Sequence, residues 1–304
     1  MNLHENKTEF RQLIYLCSNS LNIIPSFIEK DYYVTLLLKE LFTLDSNFVF
    51  KGGTSLSKCY KIINRFSEDI DINYHPNIQL TQGTKKKIKE IVKTAVANCK
   101  LEITNLDNTR SKRLFNQYLI SYQNIFLKNS TIKDKIILET ALQQPSYPFE
   151  RKEIQSIIGE YLVSLNRDDL VSEFHLEPFS VNVQSLDRTF IDKVFALCDY
   201  YLTNKIKEHS RHLYDLHKLF PNILFDDSFF ILFQKVKEER SLNEFCLSAQ
   251  CNQNISDLLL DILSKQIYKH DYESITLNLC FDNIPYSVLE ITLMKIIVLL
   301  QKND

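Results

Sequence analysis

The sequence predicts an α+β protein: an N-terminal lobe built on a mixed β-sheet flanked by helices, then an all-helical C-terminal lobe. Three observations point there. Short apolar or alternating runs such as "NFVFK", "EDIDINY", "LFNQYLISY" and "DKIILET" crowd the first part of the chain, which is strand patterning. From residue 187 onward apolar residues recur at helical spacing instead. Only 4 Gly and 7 Pro interrupt 304 residues, so long helices and few tight turns are expected. The boundary falls at residue 186, giving lobes 1–186 and 187–304, each of ordinary domain size.

The elements follow in order. "PSFIEKDYYVTLLLKELF" (25–42) reads as a helix, since Ile28, Val34, Leu37, Leu38 and Leu41 share a stripe, and Ser26 with Glu29 has capping-box spacing. "NFVFK" is a short buried strand ending at the paired glycines Gly52 and Gly53. Leu56, Tyr60 and Ile63 give a helix after them, with Thr54 or Ser55 placed to cap its start. "EDIDINY" alternates acid and isoleucine, as a strand does. "TKKKIKEIVKTAVANCK" is an amphipathic helix with a basic first turn, and "LEITNL", "LFNQYLISY", "DKIILET" and "EPFSVNVQSL" are further strands. Helices are expected over 187–205, 209–220, 226–239, 254–270 and 285–301.

Charge and composition exclude several classes. The formal net charge is −2, so any contact with nucleic acid must come from a local patch. The basic runs "TKKKIKEIVK" and "TRSKR" (109–113) could form such a track for an RNA backbone, or could be solvated charged faces. No apolar run approaches the roughly 18 residues of a membrane span, and "MNLHENKTEF" lacks a signal peptide's apolar core. Seven cysteines, an odd number without a C-x-x-C pair, read as reduced thiols of a cytoplasmic protein. His209, His212 and His217 cluster without zinc-site spacing, and no local signature marks a Ser or Cys nucleophile.

The chemistry concentrates in "FKGGTSLSKCYKIINRFSEDIDINYHP" (50–76). On a strand, Asp69 and Asp71 would share one face about 6–7 Å apart, where two carboxylates repel unless a cation sits between them. A hard divalent cation suits such oxygens; a D-x-D pair alone is equally a solvated strand face. Glycines between a strand and a helix let a phosphate approach the backbone, or simply make a sharp turn. Their conjunction is sharper. Strand, Gly-Gly-Thr, helix, then a neighbouring strand with D-x-D can hold a triphosphate beside metal-bound carboxylates, as two-metal phosphoryl chemistry requires. It is not a Walker A loop, because G-x-x-x-x-G-K-[ST] is absent.

"KGGTSLSKCYKIINRFSEDIDI" resembles the first motif of polymerase-β-type nucleotidyltransferases, and in detail that of the AbiEii/AbiGii toxin family, G-G-T-x-L-x-K followed by R-x-S-x-D-[IL]-D. The matching residues are Gly52, Gly53, Thr54, Leu56, Lys58, Arg65, Ser67, Asp69 and Asp71. "IEKDYYV" (28–34) resembles the segment preceding that motif. "FIDKVFALCDYYLTNKIKEHSRHLYDLHKLF" resembles the later signature, matching Lys193 and Asp215, while Arg211-His212 replaces the usual R-D pair. The resemblance covers roughly residues 26–220.

The resemblance implies a nucleotidyltransferase-like fold and a toxin of a toxin–antitoxin or phage-defence pair. Such an enzyme transfers an NMP from an NTP to RNA, such as a tRNA, or to protein. It implies metal at Asp69 and Asp71, with Mg²⁺ expected and Mn²⁺ as the alternative, and Glu139 as a third carboxylate opposite Ile136 and Leu138 on its strand. Gly52, Gly53, Thr54 and Ser55 would bind the triphosphate, with Lys58, Arg65 and Ser67 nearby, and Lys193 would meet it from the helical lobe. Asp215 would be a catalytic or site-organising carboxylate. A cognate antitoxin is implied as well. Two alternatives keep the fold: a small-molecule, antibiotic-type nucleotidyltransferase, and a non-catalytic nucleotide-sensing module.

Overall fold

The computed structural model describes residues 1–126, 133–143 and 145–302. It divides into two compact units, Met1–Tyr60 with Ser67–Gln184, and Lys61–Phe66 with Ser185–Asp304. The short segment Lys61–Phe66, which carries Arg65, therefore groups with the helical half of the chain.

The first unit holds a seven-stranded mixed sheet. Its strands are β1 (Phe48–Lys51), β2 (Ile70–Tyr74), β3 (Glu102–Ile103), β4 (Phe115–Ser121), β5 (Lys135–Ala141), β6 (Phe149–Ile154) and β7 (Phe179–Gln184), in the spatial order β3-β4-β5-β2-β1-β7-β6. β2 runs parallel to β5 and antiparallel to β1, and β1 runs parallel to β7. Phe50, Ile70, Ile72, Tyr118, Ile120, Ile136 and Leu138 lie in one core cluster with residues of α1 (Lys7–Leu21), α2 (Pro25–Leu44) and α4 (Gln82–Asn98). Because side chains alternate along each strand, the opposite face carries Lys51, Asp71, Glu139 and Gln117. Those four are cross-strand neighbours in a single row over β1, β2, β5 and β4.

Local chemistry sets the helix starts. Thr81 caps α4 by accepting from the backbone N–H of Thr84, and Asn6 caps α1 through Glu9. α2 departs from the capping-box expectation. Pro25 presets the first helical position, so the helix begins there behind Ile24, Ser26 lies inside it, and Glu29 accepts instead from the N–H of Ile125 at 2.7 Å. α3 (Gly52–Lys58) likewise starts at the first glycine behind Lys51, which leaves Thr54 and Ser55 within the helix rather than capping it. β2 begins at Ile70, two residues later than the run "EDIDINY" suggested, so Asp69 immediately precedes the strand.

β6, α1, α5 (Ile157–Ser164) and α6 (Asp168–Glu173) are additions to the elements read from sequence. β6, "FERKEI", ends the sheet. An edge strand can be charged along its length, so it lacks apolar alternation.

The second unit contains α7 (Leu186–Leu202), α8 (Arg211–Leu219), α9 (Asp227–Ser241), α10 (Ile255–Ser264), α11 (Lys269–Ser274) and α12 (Tyr286–Gln301). The helix expected over 254–270 ends at Ser264, because Gln266 takes a left-handed conformation (φ 49°) and the chain restarts as α11. Lys61–Phe66 is stitched into this unit by backbone bonds, Phe66 N–H to Leu279 O at 2.8 Å and Phe281 N–H to Asn64 O at 2.9 Å. All seven cysteines are free thiols. Among the described residues no helix is long and apolar enough to cross a membrane.

Candidate active site

Gly52 is glycine for two independent reasons. Its φ is +81°, a conformation side chains resist, and a Cβ there would lie 1.9 Å from Oδ2 of Asp71. The Asp71 carboxylate thus rests directly on the glycine backbone, at the junction of β1 and α3. Gly53 follows in the first turn of α3. In the sheet row, Asp71 is flanked by Lys51 on one side and Glu139 on the other. Glu139 accepts from Gln117 Nε2 at 2.8 Å.

Asp69 is held from two directions. Its backbone carbonyl accepts from Thr54 Oγ1 at 2.5 Å, and Thr54 Oγ1 also lies 3.0 Å from Ser67 Oγ. Its carboxylate takes the ammonium of Lys133 at 3.1 and 3.2 Å, one distance to each oxygen. Thr54 is buried, so its hydroxyl ties α3 to the approach to β2 rather than facing outward. Ser55 is also buried and donates to Gly52 O at 2.8 Å. Lys58 pairs with Asp31 at 2.5 Å, and the other oxygen of Asp31 accepts from Ile157 N–H at the start of α5.

The carboxylates offer only oxygen donors, which suits a hard divalent cation in kind, and the absence of a side chain at Gly52 is what leaves room for the Asp71 carboxylate. Among the described residues, no three Asp, Glu, His or Cys side chains already converge at metal-binding distance.

In the second unit, Arg65, Lys193 and Asp215 form one buried cluster. Arg65 grips Asp215 with two parallel bonds, Nε to Oδ1 and Nη2 to Oδ2, both 2.7 Å, and Lys193 Nζ reaches Oδ2 at 2.5 Å. Burial acts to raise the Asp215 carboxyl, but the two cations outweigh it and hold the acid far below the carboxylate range. Burial also pulls the Lys193 ammonium down, against the attraction of Asp215. Two cations against one anion leave this cluster net positive. Beside it, Tyr200, His209 and His212 stack, with ring centroids 3.4 Å apart for Tyr200 and His209. Burial lowers His209 to about 4 and His212 well below the usual imidazole value.

Lys30 and Lys133 carry no role in the sequence reading. The signal for Lys30 lies in "IEKD", three consecutive charged residues in an otherwise apolar helix, but its carbonyl partners lie about a hundred residues away along the chain. The two basic runs of the first unit meet: Lys85 Nζ donates to Lys112 O at 3.3 Å and Lys89 Nζ to Thr109 O at 3.0 Å. Lys86, Lys87, Arg110, Lys112 and Arg113 are exposed around that junction.

A family model described as nucleotidyl transferase AbiEii toxin, type IV TA system, matches residues 36–290. Among solved structures, the fold is similar to that of MenT4, a nucleotidyltransferase toxin from Mycobacterium tuberculosis H37Rv. The TM-score is 0.59 at 17% identity, over 96% of this chain and 90% of that one. No curated protein matches.

Proposed function

The chain belongs to the AbiEii family of nucleotidyltransferase toxins of type IV toxin–antitoxin systems, and from that premise we propose that it moves an NMP from an NTP onto an RNA such as a tRNA, using Mg²⁺. Nucleotidyl transfer and the toxin class come with the family, as does a cognate antitoxin; the metal, the acceptor and the residue roles are our reading.

The observation that carries it is the Asp71 carboxylate seated on the Gly52 backbone, beside Glu139 in the sheet row. Carboxylate oxygens able to bind a hard cation and a side-chain-free stretch of backbone meet there, the combination that a metal-bound polyphosphate would need. Asp69 and Asp71 would hold the metal, with Glu139 next in line, and Mn²⁺ would satisfy the same donors. Bound there, a divalent ion supplies Lewis-acid neutralisation of the phosphoryl oxygens. An acceptor hydroxyl oxygen would bond to the α-phosphorus as the bond to pyrophosphate breaks, its proton passing to one of the carboxylates Asp69, Asp71 or Glu139. Thr54 and Ser67 would hold Asp69 in place. Within the second unit, Asp215 would fix the side chains of Arg65 and Lys193, the cations that the family resemblance assigns to the triphosphate. Lys58 would act through Asp31, to which it is bound.

An RNA acceptor is favoured by the junction of the two basic runs, which turns separate stretches of sequence into one exposed cationic surface. The purified chain incubated with each α-labelled NTP and cellular RNA should label RNA and release pyrophosphate only when Mg²⁺ is present. It should also inhibit growth when expressed, and Asp69→Ala/Asp71→Ala should do neither. Transfer that persists in the double variant would overturn the assignment of these acids; label on protein or on a small molecule, with none on RNA, would overturn the acceptor.

A further inference from the structure

We propose that Lys30 is a positioning residue for metal binding, acting through Glu68 and Lys133 to hold Asp69 in place. This rests on the reading that Asp69 is a metal ligand.

Lys30 lies in the middle of α2, and its side chain is fully buried. The Lys30 ammonium donates to two carbonyl acceptors, Lys133 O and Lys135 O, each at 2.7 Å, and forms an ion pair with Glu68 Oε2 at 3.1 Å. Those partners come from two stretches of chain. Glu68 is the residue before Asp69. Lys133 precedes β5 and Lys135 opens it, and the ladder of β5 with β2 starts at Ile70 and Leu138. The ammonium therefore joins β2 to β5 just below the point where backbone pairing takes over.

Two further contacts complete the link. The backbone N–H of Lys133 donates to Glu68 Oε1 at 3.3 Å, and the Lys133 ammonium spans both oxygens of Asp69. The same β5 carries Glu139, the cross-strand neighbour of Asp71. One buried charge thus ties the approach to β2, which carries Asp69, to the start of β5, while Asp71 and Glu139 lie further along those two strands. A buried ammonium is costly unless its partners are fixed, and a rigid node under a metal-binding acid is where rigidity has a use. Partners that orient a metal ligand from behind commonly change metal affinity or activity 10–100-fold when removed.

The test separates positioning from mere fold stability. Lys30→Met/Glu68→Gln removes both charges together, so neither is left buried alone. Mn²⁺ binding is measured by electron paramagnetic resonance without NTP, alongside Tm and the steady-state constants. With Tm near wild type, Mn²⁺ affinity should fall about tenfold or more and kcat with it, while KM for NTP changes little. Glu68→Ala, which cuts the link and leaves Lys30 its two carbonyls, should weaken Mn²⁺ in the same direction and decides the matter if the double variant does not fold. A folded variant that keeps wild-type Mn²⁺ affinity and kcat overturns the role of Lys30 alone. If wild type binds no Mn²⁺, or Asp69→Asn binds it equally well, the metal reading fails too.

Discussion

The Asp71 carboxylate occupies the space that a side chain on Gly52 would need, with Oδ2 1.9 Å from the ideal Cβ position. The glycine and the acid are nineteen residues apart in sequence and form one structural feature. Gly52→Ala should therefore do two things: strain a left-handed position at a cost of about 1–3 kcal/mol, and drive Asp71 off its seat. Nucleotidyl transfer should fall at least about a hundredfold, the scale of a misplaced reacting group, with Tm lowered only modestly. Near-normal turnover in Gly52→Ala would detach Asp71 from the chemistry.

Asp215 anchors two buried cations. Its removal leaves Arg65 and Lys193 facing each other without an anion, so Asp215→Ala should cost about 3–5 kcal/mol of stability. Urea unfolding followed by circular dichroism measures this. Because its folded pKa lies below the unfolded value, the stabilisation is present above the ordinary carboxylate pKa and lost as pH falls through the depressed one.

A second pH effect has its own window. His209 and His212 are held neutral by burial, His209 down to about 4 from the usual 6.5. Between those values the unfolded chain binds protons that the folded chain does not, so stability falls as pH drops from 6.5 toward 4. Tm measured across that range should decline, and His209→Phe, which keeps the stack on Tyr200, should flatten the slope. An unchanged slope would assign the acid sensitivity elsewhere.

Thr54 is placed to brace Asp69. Thr54→Val keeps the shape and removes the bonds to Ser67 and to the Asp69 carbonyl. A cost of about 1–2 kcal/mol is expected, together with weaker divalent-cation binding, and Thr54→Ser should restore both. If the valine variant lost activity with KM for NTP alone raised, the hydroxyl would be a nucleotide ligand after all.

The basic junction makes a salt-dependent prediction. Changing Lys85, Lys86 and Lys87 to Glu should weaken RNA binding. The plot of log affinity against log salt should flatten by about 0.7 for each phosphate of a single strand that is no longer neutralised. Self-transfer or NTP hydrolysis without acceptor should be unaffected. Unchanged RNA affinity at low salt would remove this surface from the acceptor path.

Much of this was legible in one dimension because it is local. A strand, a glycine pair, a helix and a D-x-D strand follow one another within about 25 residues, and side-chain periodicity alone orders them. The helical half was equally readable from apolar spacing, since helix contacts lie three and four residues apart. Local rules also misplaced details where a stronger local rule competed: Pro25 overrode the cap at Ser26, and the first glycine began α3 ahead of Thr54.

The rest depended on pairing at long separation. That Lys58 binds Asp31, that Lys30 reaches the segment before β5, and that Arg65 belongs with Lys193 and Asp215 are contacts spanning 27 to 150 residues. No periodicity encodes them, because a charged side chain reads the same in sequence whether water or a buried counter-ion surrounds it. Only folding, by removing the water, selects which partner it must have.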